Sequence, residues 1–177
     1  MPRKDQVRNR ERVIEAAVAV FAQSGPGASL ETVARAAGLG TTTLYRHFPS
    51  RDDLVEAVLD ELVRPVRAAA ERVERIGDPH EAFRQLFLQS CAMPDHDVTV
   101  FARLAVTSPR VERHADALVV GVVRRVTERL REAGGLRAGL TAEDVAMFVR
   151  MAERTAGREQ RATATEVLLA GITRVEA

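Results

Sequence analysis

Apolar residues recur at helical spacing along most of the chain, and no turn-bounded run alternates with period two. The first stripe, Val13, Ala17, Val20 and Phe21, predicts a helix over 9–23, broken by Ser24-Gly25-Pro26-Gly27. Ser29 then stands as an N-cap before Leu30, Val33, Ala34 and Ala37 at i, i+3, i+4 and i+7, with Gly38 as the stop. A third short helix is predicted over 41–48 and is closed by Pro49. Ser50 with Asp53 reads as an acidic capping box for a fourth helix, which Pro65 is expected to kink or end.

Longer helices follow. One is predicted over 79–93, one over 95–106 after Pro94, and one over 109–132 behind the Ser108-Pro109 start signal. Gly134-Gly135 ends the last of these; Thr141 with Asp144 opens a helix that stops near Gly157, and a final helix covers 162–175. The pattern is all-α, with about nine helices and no internal repeat.

Composition agrees: 46% of the 177 residues are hydrophobic, enough for a real core. The net charge of +1 is uninformative, but its distribution is not. Over the first 51 residues eight cations, Arg3, Lys4, Arg8, Arg10, Arg12, Arg35, Arg46 and Arg51, face four anions, an excess of +4 that suits a polyanionic partner. Arg3, Lys4, Arg8 and Arg10 read either as a DNA-touching arm or as a solvated tail.

Cys91 is the one cysteine, which excludes an intrachain disulfide and a cysteine-rich metal site. It reads as packing rather than as a redox sensor. His80, His96 and His114 are scattered, Asp95-His96-Asp97 reads as a helix start, and no metal is expected. No phosphate loop or nucleophile motif is found, so neither a cofactor nor an enzymatic activity is expected. The charged N-terminus and the lack of a long apolar run predict a cytoplasmic protein without membrane contact.

The informative stretch is 29–51. Two short helices joined by a glycine-containing turn make a helix-turn-helix, whose second helix enters the major groove of double-stranded DNA. At about 100° per residue, Leu44 and Phe48 share a face with Thr41 at its edge, while Thr42, Thr43 and Arg46 point away and Tyr45 and His47 flank them. Arg46 suits a bidentate contact to guanine, and threonine methyls and hydroxyls suit thymine or phosphate. Tyr45, His47, Ser29 and Arg51 are placed to hold phosphates, as are the helix N-termini near Ser29 and Ser50.

Ser29-Leu30-Glu31-Thr32-Val33-Ala34, Ala37-Gly38 and the run from Thr43-Leu44-Tyr45-Arg46 through His47-Phe48-Pro49-Ser50-Arg51 closely resemble the TetR (tetracycline-repressor-like) family, as does Ile14-Glu15-Ala16-Ala17 with Phe21. The likeness covers about 10–62. It implies a three-helix DNA-binding domain, placed at 1–50, and a long fourth helix leading into a helical effector-binding and dimerisation domain, placed at 51–177. It also implies a dimeric regulator, usually a repressor, released from a near-palindromic operator by a small molecule. Many members carry glycine where this chain has Thr42, whose side chain stiffens the recognition helix and offers a base contact.

Phe83, Phe87, Cys91, Phe101 and Phe148 are the candidate effector-pocket residues. With no Trp, and with the one Tyr in the recognition helix, an aliphatic pocket for an apolar or amphipathic ligand is expected. The last two helices carry apolar faces, Val145, Phe148 and Met151 on one and Val167, Leu168 and Ile172 on the other. In the resembling family such helices build the dimer interface. Other readings stay open at this point: a ligand-independent DNA-binding protein, an activator rather than a repressor, and an enzyme in which the motif is incidental, which would need a convergent catalytic cluster that is not found.

Overall fold

The protein is described by a computed structural model over residues 2–155 and 158–174. Among them run nine helices: α1 (Pro2–Ser24), α2 (Leu30–Ala36), α3 (Thr41–His47), α4 (Arg51–Val73), α5 (Pro79–Ser90), α6 (Asp95–Leu104), α7 (Pro109–Glu132), α8 (Ala142–Glu153) and α9 (Arg158–Ile172). The described residues form no strand; a single bridge joins Leu136 to Thr173.

Several helix ends differ from the pattern-based expectation, each for a local reason. α1 begins at Pro2 because nothing in 3–8 breaks a helix and Asp5 favours the positive end of the helix dipole. The basic residues expected as an arm therefore lie on helical backbone. α4 passes through Pro65 without ending there: the ring sits on an exposed face, while Leu62, Val63, Val66 and Ala69 around it are buried. α5 stops at Ser90, short of 93, since Pro94 disfavours helical backbone at the residue before it. α6 stops at Leu104, whose carbonyl accepts from both the amide and the hydroxyl of Thr107. α8 ends at Glu153 and α9 starts at Arg158, ahead of 162; the expected limits Gly157 and Val175 lie outside the described residues.

The chain divides into two compact units, Met1–Leu62 with His96–Ala115 and Val63–Asp95 with Asp116–Ala177, so that α4 and α7 each contribute to both. In the first unit the core is built from Val13, Ala17 and Phe21 of α1, Val33 of α2, Leu44 of α3 and Leu54, Val58 and Leu59 of α4. Arg110 at the start of α7 pairs with Asp53 at 2.6 Å and Glu56 at 2.8 Å, Ser108 donates to Asp52 at 2.8 Å, and His114 lies 3.1 Å from Asp60.

In the second unit Phe83, Leu86 and Phe87 of α5, Val123, Val126 and Leu130 of α7 and Val145 and Val149 of α8 are buried. α8 opens on a reciprocal capping box between Thr141 and Asp144. The loop after α7 is tied to the end of α9 by Arg137 N–H donating to Ile172 and Arg174 N–H donating to Gly135, both at 2.8 Å.

Candidate nucleic-acid interface

The candidate surface is built on α2, the turn after it and α3. Ser29 has extended backbone and accepts from the Thr32 amide at 3.2 Å, starting α2. The same hydroxyl and the amide of Glu31 itself hold the Glu31 carboxyl below its usual range, the backbone contribution being the larger. After Ala37 the chain must reverse. Gly38 does so at φ +64, where a Cβ would also meet the Arg12 guanidinium at 3.0 Å. That guanidinium reaches across from α1 and donates to the Ala37 carbonyl at 2.7 Å. Gly40 then opens α3 without a side-chain cap.

Within α3, Leu44 is fully buried, and the C-cap Phe48 lies beneath the helix at 1% exposure. Thr41, Thr42, Tyr45 and Arg46 are exposed, with Thr43 and His47 half-buried at the margins. One face is thus anchored and the opposite face offers hydroxyls, a phenol and a guanidinium. Arg10 of α1 stacks its guanidinium over the Phe48 ring, 5.1 Å from the centroid.

Two expected phosphate contacts are otherwise engaged. Arg51 is turned inward: it donates to the Ala28 carbonyl at 2.8 Å and to the Pro26 carbonyl, and stacks over Phe21 at 5.5 Å. It holds the turn before α2. The N-terminus of α4 is filled by Asp53, which accepts from the Ser50 amide at 2.9 Å and from its hydroxyl at 2.7 Å. The Ser50 hydroxyl, followed by Arg110, keeps that carboxyl below its usual range, so the position already carries an anion. Sequence reasoning missed Arg12 and Arg110, whose partners lie 25 and 57 residues away and leave no local pattern.

The candidate effector residues fall in both units. Phe83 and Phe87 stack with centroids 5.9 Å apart, both 1% exposed, as core of the second unit. Phe148 is half-buried there, whereas Phe101 is buried in the first unit. Cys91 lines a cavity of about 480 Å³.

The candidate dimer residues split by exposure. Val145 and Ile172 are buried within the chain's own core. Met151 and Val167 are 52% and 66% exposed, and Phe148 and Leu168 lie between. Met147, not foreseen, is 48% exposed; with Met151 and with Val119 and Val120 of α7 it lines a groove of about 420 Å³, bordered by the Arg150–Asp116 ion pair. Among the described residues no helix is long and apolar enough to cross a membrane.

Residues 13–58, which contain this surface, match the tetR family of bacterial regulatory proteins. The chain is similar to the HTH-type transcriptional repressor LfrR of Mycolicibacterium smegmatis, 34% identical over 83 residues that make up 47% of this chain and 43% of the relative. The match thus spans less than half the length of that curated relative. Among solved structures, the TetR transcription regulatory protein of Mycobacterium vanbaalenii is 26% identical, with 98% of this chain and all of the other covered and a TM-score of 0.57. A TetR-family transcriptional regulator from Rhodococcus sp. has the same fold at 18% identity, with 90% of this chain and 96% of the other covered and a TM-score of 0.72.

Proposed function

We propose, of a chain that belongs through its first helices to the tetR family of bacterial regulatory proteins, that it is a dimeric repressor released from its operator by a small molecule. The observation that carries the DNA-binding part is the two-sided α3, Leu44 and Phe48 buried beneath exposed Thr42, Tyr45 and Arg46. Thr42, Thr43 and Arg46 read base edges, while Ser29, Thr41, Tyr45 and His47 meet phosphates and set the orientation. Arg51 and Arg12 keep the helix-turn-helix in shape from behind.

DNA reading is assigned to residues 1–50, and effector binding with dimerisation to 51–177. The structural units cut the chain differently, since the first turns of α4 and the 96–115 segment brace the DNA-reading helices. A dimer suits the function because recognition helices about 34–36 Å apart meet successive major grooves on one DNA face. Exposed Met147, Met151 and Val167 support such a contact on α8 and α9. The effector must bind the DNA-incompetent state more tightly, since equal affinity for both states shifts nothing. The protein acts in the cytoplasm, where its operator is.

Selection of bound duplexes from a randomised pool tests the reading. Two inverted half-sites about one helical turn (~10 bp) apart are expected. Recovery of one asymmetric site occupied by a single chain would rule out the dimeric mechanism.

A further inference from the structure

The cavity of about 480 Å³ in the second unit lies between the end of α5, the turn that follows it and the first half of α9. Leu88, Met93 and Pro94 make an apolar wall, and Cys91, Thr165 and Arg161 a polar one. The volume falls within the range of small-molecule sites.

Arg161 is 8% exposed, an uncommon place for a guanidinium. Its Nη2 lies 2.7 Å from the Asp95 carboxylate, and its Nη1 donates to the Met93 carbonyl at 3.2 Å. Nε, on the same edge as Nη2, is buried and has no hydrogen-bond partner among the described residues. A buried donor left unpaired is destabilising until something supplies an acceptor. Cys91 beside it is unsuited to covalent chemistry: burial pushes its thiol up to about 11, in spite of its hydrogen bond with Thr165.

Charge decides the class of occupant. Asp95 already matches the Arg161 charge, and the third charged residue among the described lining, Glu166, is an acid. A further anion would meet a described lining of one cation and two anions, whereas an uncharged oxygen supplies the acceptor that Nε lacks.

We propose that this cavity is the effector site and takes an uncharged amphipathic molecule, whose carbonyl or ester oxygen accepts from Arg161 Nε while its apolar body lies against Leu88, Met93 and Pro94. The occupant's role as an effector rests on the regulator reading above; its binding does not.

The chain's four methionines allow a direct test by methyl-¹³C labelling. Millimolar methyl benzoate is expected to shift the Met93 methyl resonance saturably and to leave Met147 and Met151 in place. Benzoate and benzylamine, the same ring with either charge, should bind about tenfold more weakly or worse, and Arg161→Lys should weaken methyl benzoate about tenfold. Ala162→Leu narrows the cavity from the exposed side of α9 and should abolish the shift, so a poorly folded Arg161 variant leaves the question decidable.

A Met93 signal unmoved by methyl benzoate would overturn the proposal. So would benzoate binding as tightly as its ester, or a folded Arg161→Lys protein binding unchanged. Operator affinity, measured with and without methyl benzoate, separates the two readings. Weaker operator binding on addition supports the effector role, and unchanged binding with an intact Met93 response removes it. A protein that binds no DNA but keeps the Met93 response sinks the regulator reading alone.

Discussion

Arg46 and Arg51 stand on either side of one turn with identical side chains and opposite surroundings. Arg46 is exposed on the outer face of α3, whereas the Arg51 guanidinium is held by two carbonyls and an aromatic ring. Arg46→Ala is expected to leave thermal stability unchanged and to relax base preference at one position per half-site, by about 1–3 kcal/mol. Leu44→Ala, two residues earlier and fully buried, should instead cost about 2–5 kcal/mol of stability. Thermal unfolding paired with binding to single-base operator variants checks both, and an equal loss of Arg46→Ala affinity on every sequence would make Arg46 a phosphate contact. Glu153 gives a pH test at the same scale. Burial pushes its carboxyl up to about 7, against the attraction of Arg161 and then Arg150. Between its ordinary value of 4.5 and that point the folded chain holds a proton that the unfolded chain releases, so stability falls as pH rises through this window and levels off above it. Glu153→Gln should match the parent near the lower end and exceed it above the window by about 1–3 kcal/mol, measured by urea unfolding at both ends.

At the scale of elements, the helix-turn-helix depends on a backbone reversal and on the side chain that closes it. Gly38 adopts a left-handed conformation, and the space where a Cβ would go is taken by Arg12. Gly38→Ala is therefore expected to cost about 1–2 kcal/mol of stability and to weaken operator binding by displacing Arg12 from the Ala37 carbonyl. Melting temperature and DNA affinity should fall together; a loss of neither would mean that the turn tolerates strain. Most elements could be read in advance, because caps and helical periodicity act over a few residues. Ser29, Gly38, Ser50 with Asp53 and Thr141 with Asp144 each mark the helix boundary that their chemistry implies. The boundaries that differ at 3–8 and 158–161 lie where no strong local signal opposes the helix. At Pro65 the proline does oppose it, and burial of the neighbouring apolar residues sustains the helix through it.

At the scale of the whole molecule, the proposed function needs two chains acting on one DNA. The exposed Met147 and Met151 on α8 are the residues to disrupt, since Val145 lies beneath them in the core. Met147→Asp with Met151→Asp should yield a folded monomer by light scattering. Its DNA affinity should fall steeply, and the slope of log affinity against log salt should be about half that of the parent, as half the phosphate contacts are lost. A variant that stays dimeric would place the interface elsewhere on the chain.

The sequence by itself determined the helices and the outward and inward faces of α3. Each follows from the 3.6-residue period and from cap chemistry, which act locally. Only the tertiary structure decided that Arg51 faces inward, that Arg12 and Arg110 serve as ties, that Phe83 and Phe87 fill a core and that Arg161 is buried beside a cavity. Those outcomes depend on partners far along the chain, and which distant groups meet is settled by packing, for which periodicity carries no record.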